Sequence, residues 1–386
     1  MDKDDKKETD KIMLSGGGSG GPVIPLLEIT KELRHLKPEL DFVFVGTEDG
    51  PEKEMVENFG NLRFLSLPAG KFRRYFSLKN FSDIFLIFSA FFKAFPLLRK
   101  EKPSLVISVG SFASVPLIYA AFFLRIPIII HQQDVRPGLA NRLMAPCAKI
   151  ITAVFEKTLV DYGPKAVLTG NPISISEKFA EFDDALKPIL EGDKPLILIL
   201  GGGTGAVAIN KLVQDAKSEL LNFCNIIHIT GKNKGDLKST IDSEKTVKEE
   251  DKYEDVSKGI YLAWELINHN QLLAIMDRSK LVVSRCGLAT LTEISALKKA
   301  SILIPMPHSH QEDNANIFSR AEAALVLSQN SLKAESFSQE IKKLLNDQEA
   351  LRTYANNAYN IMEKGAAEKI SKIILELIKK DDKQLL

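Results

Sequence analysis

The stretch KIMLSGGGSGG, residues 11–21, decides the fold. Lys11 to Ser15 is a short apolar run of strand length, and five of the next six residues are glycine. An amphipathic helical pattern then begins near Pro25. A glycine turn between a strand and a helix lets backbone N–H groups approach a phosphate at the helix N-terminus. The unit recurs twice. SLVISV (104–109) runs into Gly110-Ser111-Phe112-Ala113-Ser114, and PLILIL (195–200) runs into Gly201-Gly202-Gly203-Thr204-Gly205-Ala206. One such turn is a weak signal, because glycine also serves tight packing of strand to helix. Three at strand ends point to phosphate-bearing ligands.

Working outward, short runs rich in Val and Ile continue the pattern: FVFVG (42–46), LRFLSL (62–67), IPIIIH (126–131), IITAVF (150–155) and AVLTG (166–170). After Asn171-Pro172 it restarts, with NIIHITGK (225–232), GIYLA (259–263), LVVSR (281–285) and SILIP (301–305) following PLILIL. Near-continuous apolar strands separated by helical segments read as parallel sheets covered on both faces. The fold class is therefore α/β, with two Rossmann-like doubly wound domains. The expected boundaries are a charged tail at 1–10, an N-terminal domain at 11–172, a C-terminal domain at 173–350 and a helical segment at 351–386. Residues 349–380 read as one or two helices, and the charged stretch 232–258 as a surface excursion.

The chain has 386 residues, 45% hydrophobic and 26% charged, which excludes a disordered or collagen-like class. A net charge of +1 gives no global field for nucleic acid, so no nucleic-acid partner is expected. Cys147, Cys224 and Cys286 are far apart and odd in number, which suits a reducing cytoplasm. No signal peptide opens the chain; residues 2–11 carry nine charges in ten positions and read as a solvated tail. Ser104 to Leu124 has 21 residues without a charge, long enough for a membrane span. Its glycine, serines and Pro116 favour a buried strand, a turn and a buried helix instead.

The first and third turns also fit G-x-G-x-x-G/A, so a dinucleotide oxidoreductase is an alternative. That reading needs an acidic residue at the end of the next strand. Glu48 is the candidate, 27 positions past Gly21, against about 20 in the usual fingerprint. No Gly-Lys-Ser/Thr follows either turn, which excludes a nucleoside-triphosphate P-loop. In the second half, SRCGLATLTE (284–293) follows a strand and opens a helix, an arrangement suited to a diphosphate. Glu293, further along that helix, can accept two hydrogen bonds from a ribose diol, or be an ordinary solvated glutamate. PMPHSHQEDNA (305–315) follows the next strand, where open α/β sheets bind ligands.

Residues 71–102 hold eight basic and two acidic residues, and nine of the 21 Phe lie between Phe64 and Phe95. Phe81, Phe85, Phe88, Phe92 and Phe95 recur at helical spacing. Such a stripe faces a core, or with Arg73, Arg74 and Lys79 it meets an anionic membrane surface. No Asp-x-Asp sits at a strand end, so neither a metal clamp nor a cofactor is expected.

In order along the chain, GGGSGG, GSFAS, HQQD (131–134), GLANR (138–142), GNP (170–172), GGGTGA, TGK (230–232), SRCGLATLTE and HQEDNA resemble the MurG family of glycosyltransferases. The likeness covers about residues 11–380. It implies a GT-B fold, two Rossmann-like domains facing across a cleft. It implies inverting, metal-independent transfer of N-acetylglucosamine from UDP-GlcNAc to undecaprenyl-linked muramyl-pentapeptide in peptidoglycan synthesis. It implies a peripheral enzyme at the cytoplasmic face of the plasma membrane, acting in cell-wall biogenesis, cell shape and division. Residue by residue, it places Ser19, Gly20 and Gly21 at the cleft near the donor sugar and the lipid pyrophosphate, and Gly18, Gly110, Ser111 and Ser114 at that pyrophosphate. Leu288, Ala289, Thr290, Leu291, Thr292 and Glu293 would hold UDP, with Glu293 on the ribose. Gln311 would meet the sugar hydroxyls, and Ile267 the uracil through its backbone.

The chain also departs from the family pattern. Pro22 stands where the family has His, Ser174 where it has Arg, and Gly203 where it has Ser; backbone N–H groups of Gly203 and Thr204 can still serve a phosphate. With Pro22 unable to accept a proton, Asp134 becomes the candidate base, or it only caps a turn. A UDP-sugar epimerase of the same fold fits the glycine turns too, without calling for the Phe-rich basic segment. So does a non-catalytic, membrane-docked UDP-sugar binder, which would need no base.

Overall fold

The computed structural model describes residues 9–17, 21–68, 79–175, 186–201, 206–231 and 258–384. The expectations for residues 1–8, for 232–257 and for Gly18, Ser19, Gly20, Arg73, Arg74, Gly203 and Thr204 lie outside these, as do the side chains of Lys79, Phe81 and Phe85.

The first half alternates strand and helix: β1 (Lys11–Ser15), α1 (Val23–Leu36), β2 (Asp41–Gly46), α2 (Pro51–Phe59), β3 (Arg63–Ser66), α3 (Lys79–Glu101), β4 (Leu105–Ser108), α4 (Ser114–Phe123), β5 (Ile128–Gln132), α5 (Leu139–Met144), β6 (Ile150–Ala153), α6 (Glu156–Tyr162) and β7 (Ala166–Leu168). The second continues with α7 (Lys187–Leu190), β8 (Leu196–Leu200), α8 (Val207–Leu220), β9 (Asn225–Ile229), β10 (Tyr261–Trp264), α9 (His269–Arg278), β11 (Leu281–Ser284), α10 (Leu288–Ala296), β12 (Ser301–Leu303), α11 (His310–Arg320), β13 (Leu325–Val326), α12 (Ala334–Asn346), α13 (Gln348–Ile361) and α14 (Ala366–Gln384).

Two all-parallel sheets result, in the orders β3-β2-β1-β4-β5-β6-β7 and β10-β9-β8-β11-β12-β13. The direction of winding reverses between β1 and β4 in one and between β8 and β11 in the other. The crevice at such a switch point is where open α/β sheets bind ligands. Gly16 and Gly17, and the turn at 110–114, follow the two switch strands of the first sheet; Gly201 and the turn at 285–287 follow the two of the second.

The period of two along each strand builds a core on both faces. In the first unit Ile12, Leu14, Phe42, Phe44, Leu105 and Ile107 meet α1 and α14 on one face. Met13, Val43, Val45, Val106 and Ile130 meet α3, α4 and α5 on the other. In the second unit Ile197, Ile199, Ile226, Leu281 and Val283 pack against α8 and α12. The run 104–124 divides into β4, a turn and α4. No described helix is long and apolar enough to cross a membrane.

The units comprise residues 1–173 with 363–386, and residues 174–362. The segment expected at 351–386 is therefore divided: α13 packs against α10, whereas α14 packs against α1. Ile370, Ile374, Leu377 and Ile378 of α14 are buried in the first unit's core. The aromatic stripe of α3 divides as well. Phe91 and Phe95 lean on the core, while Phe88 and Phe92 are 60% and 69% exposed.

Candidate functional site

In the second unit the site is built on the ends of β11 and β12. Gly287 precedes α10 with extended backbone, and no side chain caps the helix. A Cβ on Gly287 would meet nothing within 4 Å, so open space lies above the turn. The helix ladder starts with Leu291 N–H donating to the Gly287 carbonyl. The N–H groups of Leu288, Ala289 and Thr290 precede it and lie at the positive end of the helix dipole. The Leu291 and Thr292 side chains are buried, and the Thr292 hydroxyl donates back to the Leu288 carbonyl at 2.8 Å, which ties the first turn of the helix together.

Glu293 is 4% exposed, not the solvated residue a lone glutamate usually is. Among the described residues its Oε2 has no hydrogen-bond partner. Burial pushes its carboxyl up to about 8. His269, the first residue of α9, places Nδ1 3.6 Å from Glu293 Oε1. Its own pKa is lowered by burial, so the ring at neutral pH is an uncharged neighbour. No motif in the sequence marks His269; Ile267, two residues earlier, is half-buried just before the helix cap Asn268.

Gln311, in the first turn of α11, ties two loops together. Its Oε1 accepts from Met306 N–H at 3.0 Å and from Cys286 N–H at 3.4 Å. Two backbone donors on one atom fix which end of the amide is oxygen, so the NH2 group is left to donate elsewhere. Fully buried Asn314 donates to the Cys286 carbonyl at 3.1 Å.

Arg285 is legible in the sequence only as part of a motif. It is buried, and its guanidinium donates to the carbonyls of Ile304 (3.0 Å) and Pro305 (3.1 Å) and to Gln329 Oε1 (2.5 Å). It braces the loop that carries Met306. Replacing Arg285 by Met is expected to cost roughly 3 kcal/mol, since hydrogen bonds from a charged group are lost and their acceptors stay buried. Lys should not rescue, because an ammonium lacks the planar fork. A urea midpoint equal to wild type would show the brace to be dispensable.

The first unit holds its own polar cluster at the carboxyl edge. Gly17 has φ +152°, and a Cβ there would collide with the Glu52 carboxylate. Glu52, on α2, is fully buried and accepts from the Thr47 N–H at 2.8 Å and from the Thr47 hydroxyl. Glu48, the acid that the dinucleotide fingerprint would use, is exposed; the acid turned toward the glycine turn is Glu52. Gly110 and Ser111 have φ of +104° and +106°, and Ser111 Oγ accepts from Ala113 N–H. Ser114 is fully buried, and its hydroxyl accepts from Ser15 Oγ at 2.9 Å and donates to the Gly110 carbonyl at 3.2 Å, which shapes the turn from inside.

His131 is fully buried between Thr152 Oγ1 (2.9 Å from Nδ1) and Asn171 Oδ1 (3.1 Å from Nε2). Gln133 Nε2 also donates to Asn171 Oδ1. Nε2–H is therefore the donor, and Nδ1 accepts from the threonine. Burial lowers this histidine to about 4, so it stays neutral and joins the HQQD and GNP blocks. Gln132 accepts from Asn141 Nδ2 at 2.7 Å and donates to the Asp134 carbonyl at 2.7 Å. That amide fixes the turn on which half-buried Asp134 sits. Ser174 lies just past Ile173, at the start of the second unit.

The geometry has close relatives among known proteins. Residues 12–153 match the glycosyltransferase family 28 N-terminal domain, and residues 196–374 its C-terminal domain. A Clostridium kluyveri protein named UDP-N-acetylglucosamine–N-acetylmuramyl-(pentapeptide) pyrophosphoryl-undecaprenol N-acetylglucosamine transferase is 35% identical over 381 residues, covering 96% of this chain and 99% of its own. The crystal structure of Acinetobacter baumannii MurG superposes with a TM-score of 0.72 at 23% identity, covering 95% and 99% of the two chains. A UDP-GlcNAc 2-epimerase from Neisseria meningitidis, bound to UDP-GlcNAc, shares the fold at a TM-score of 0.63 and 15% identity, covering 95% and 100%. Neither an epimerase nor an oxidoreductase reading has comparable support. With both domain models matched in order and 35% identity held along nearly the whole length, the chain belongs to glycosyltransferase family 28.

Proposed function

We propose that the protein transfers N-acetylglucosamine from UDP-GlcNAc to the C4 hydroxyl of undecaprenyl-linked MurNAc-pentapeptide, with inversion and without a metal. The observation that carries the donor side is Glu293, a buried carboxylate with an unpartnered oxygen five residues beyond Leu288, where α10 begins. A ribose diol supplies an O–H donor to that oxygen and a second to Oε1 beside it. The N–H groups of Leu288, Ala289 and Thr290 take the diphosphate and stabilise its charge as UDP leaves. The Gln311 NH2 group donates to the sugar hydroxyls. The Ile267 backbone meets uracil. Gly203, Thr204 and Ser174 complete the donor contacts.

On the acceptor side, Gly18, Gly110 and Ser111 offer backbone N–H groups to the lipid pyrophosphate, and Ser19, Gly20 and Gly21 lie by the transferred sugar. The acceptor oxygen attacks the anomeric carbon from the face opposite UDP, which inverts it, and Asp134 removes the proton. Incubation of the protein with UDP-GlcNAc, with and without a short-chain lipid acceptor, tests the reading. UDP release only with acceptor supports transfer. Release without it favours hydrolysis, and release in neither case leaves an epimerase or a binder.

The protein is also proposed to work as a peripheral enzyme on the anionic cytoplasmic face of the plasma membrane. Exposed Phe88 and Phe92, with Lys93, Arg99 and Lys100 on the same helix, support that reading. Arg73, Arg74, Lys79, Phe81 and Phe85 extend the basic, aromatic segment in sequence. Phe88→Ser with Phe92→Ser is expected to weaken flotation with lipid vesicles by at least tenfold, since burying each ring contributes about 1.5–3 kcal/mol. Turnover of a soluble short-chain acceptor should be unchanged. Vesicle binding that survives both changes would move the membrane face away from α3.

A further inference from the structure

Helices α9 and α10 flank β11 in the chain, and His269 at the start of α9 reaches Glu293 in the second turn of α10. Asn268 caps α9. Its Oδ1 accepts from Gln271 N–H at 2.8 Å, and its carbonyl accepts from Leu272 N–H at 3.0 Å. Leu273, Ala274, Ile275 and Met276 are buried, so the helix is seated against the core. His269 therefore stands on a fixed backbone, and its ring turns Nδ1 toward Glu293 Oε1 at 3.6 Å.

The two side chains differ in depth: that of His269 is 38% exposed and that of Glu293 5%. The imidazole thus covers the Oε1 flank of the carboxyl group, while Oε2 is the buried atom without a partner among the described residues. His269 also follows Ile267 by two residues, so it stands between the proposed uracil contact and the proposed ribose contact. At 3.6 Å the pair touches without a hydrogen bond. Both groups are uncharged near neutral pH, since burial raises the carboxyl and lowers the imidazole. An uncharged imidazole still carries one N–H. A carboxylate has about four lone-pair positions, and a ribose diol fills two of them. Ionising Glu293 for the diol therefore leaves acceptor capacity in a buried place, where an unmet charge is costly. Closing by roughly 0.5 Å would let Nδ1–H meet Oε1.

We infer that His269 is a positioning residue for the donor: its Nδ1–H holds Oε1 of the ionised Glu293 and fixes the carboxylate with both oxygens toward the ribose diol. Oε1 has one lone pair for the imidazole and one for a hydroxyl. The neutral ring is enough for this, so donor binding still sheds the Glu293 proton to solvent. The inference rests on the ribose reading of Glu293 and adds the group that orients it.

The test is calorimetric titration of the full chain with UDP and with 2′,3′-dideoxy-UDP, which keeps the base and the diphosphate and lacks the diol. The variants are His269→Leu, which fills the space without a donor, and His269→Asn, whose Nδ2 takes the place of Nδ1. Wild type should bind UDP about tenfold or more tighter than the dideoxy nucleotide. His269→Leu should bind UDP about tenfold more weakly than wild type does, and the dideoxy nucleotide equally well. His269→Asn should regain most of the loss. A His269→Leu protein that keeps the wild-type preference for UDP, or an Asn variant as weak as the Leu one, overturns the positioning role and leaves Glu293 on the ribose. An equal loss for both nucleotides overturns it too, since His269 would then only shape the start of α9. Wild type without a preference overturns the ribose reading of Glu293 and this inference with it.

Discussion

Replacing Glu293 by Gln is expected to stabilise the ligand-free protein while weakening its grip on UDP. Burial holds the carboxyl at about 8, against 4.5 for the ordinary group. Below pH 4.5 both the folded and the unfolded chain carry the proton, and no penalty exists. Between 4.5 and 8 the unfolded chain ionises while the folded one does not, so stability falls as pH rises. The loss is about 1.4 kcal/mol per pH unit, or about 3 kcal/mol by pH 7. Gln keeps the volume and removes the titration, so thermal or urea unfolding should show most of that difference at pH 7 and none at pH 4. UDP needs the opposite. A diol donating to an ionised carboxylate contributes about 1.5–3 kcal/mol, so the variant should bind UDP roughly 10- to 100-fold more weakly. Binding to wild type near pH 7 should release a proton, read by calorimetry in buffers of different ionisation heat; the variant should release none. Equal UDP affinity and equal proton release in the two proteins would remove Glu293 from the donor site.

The largest kinetic effect is expected from Asp134→Asn, a fall in kcat of roughly 10²–10⁴ with little change in donor KM. Pro22 carries no proton acceptor, and His131 is buried, neutral and bonded at both ring nitrogens. Asp134 sits on the turn that Gln132 fixes, at the carboxyl end of β5. Asn keeps the size and loses the basic oxygen, so the acid limb of the pH profile should vanish with the rate. A variant with near-normal kcat, or one whose acid limb is unchanged, would leave Asp134 as a turn cap.

The strands were legible because parallel strands covered on both faces must be short and apolar throughout, and each of the twelve quoted runs forms one. β13 was not legible: two residues, half-buried at a sheet edge, carry no period. The glycine turns were legible as strand-to-helix connections, since glycine supplies the positive φ found at Gly17 and Gly110. What surrounds them did not show. A glutamate in EKE gives no sign that Glu52 alone turns inward onto Gly17. An arginine in SRCG suggests a phosphate ligand, whereas Arg285 braces carbonyls. Ser114 has a ligand-like place in GSFAS, yet its hydroxyl closes the turn from inside. Such roles depend on which groups lie across the sheet, and sequence order does not carry that. The amphipathic stripe of α14 likewise tells which face is buried without telling against which sheet.

The return of α14 to the first unit has a consequence for biosynthesis. Translation runs from amino to carboxyl end, so the first unit's sheet emerges long before Ile370, Ile374, Leu377 and Ile378 exist to cover it. The second unit, continuous from Ser174 to Met362, can close its own core sooner. The half that is made first is then the half finished last, its β1–β4 face covered by α1 without α14 while the rest of the chain is translated. A premature stop codon near residue 365 would spare every residue of the second unit and strip the first of one wall, so nascent-chain truncations of that kind should be degraded through their amino-terminal half.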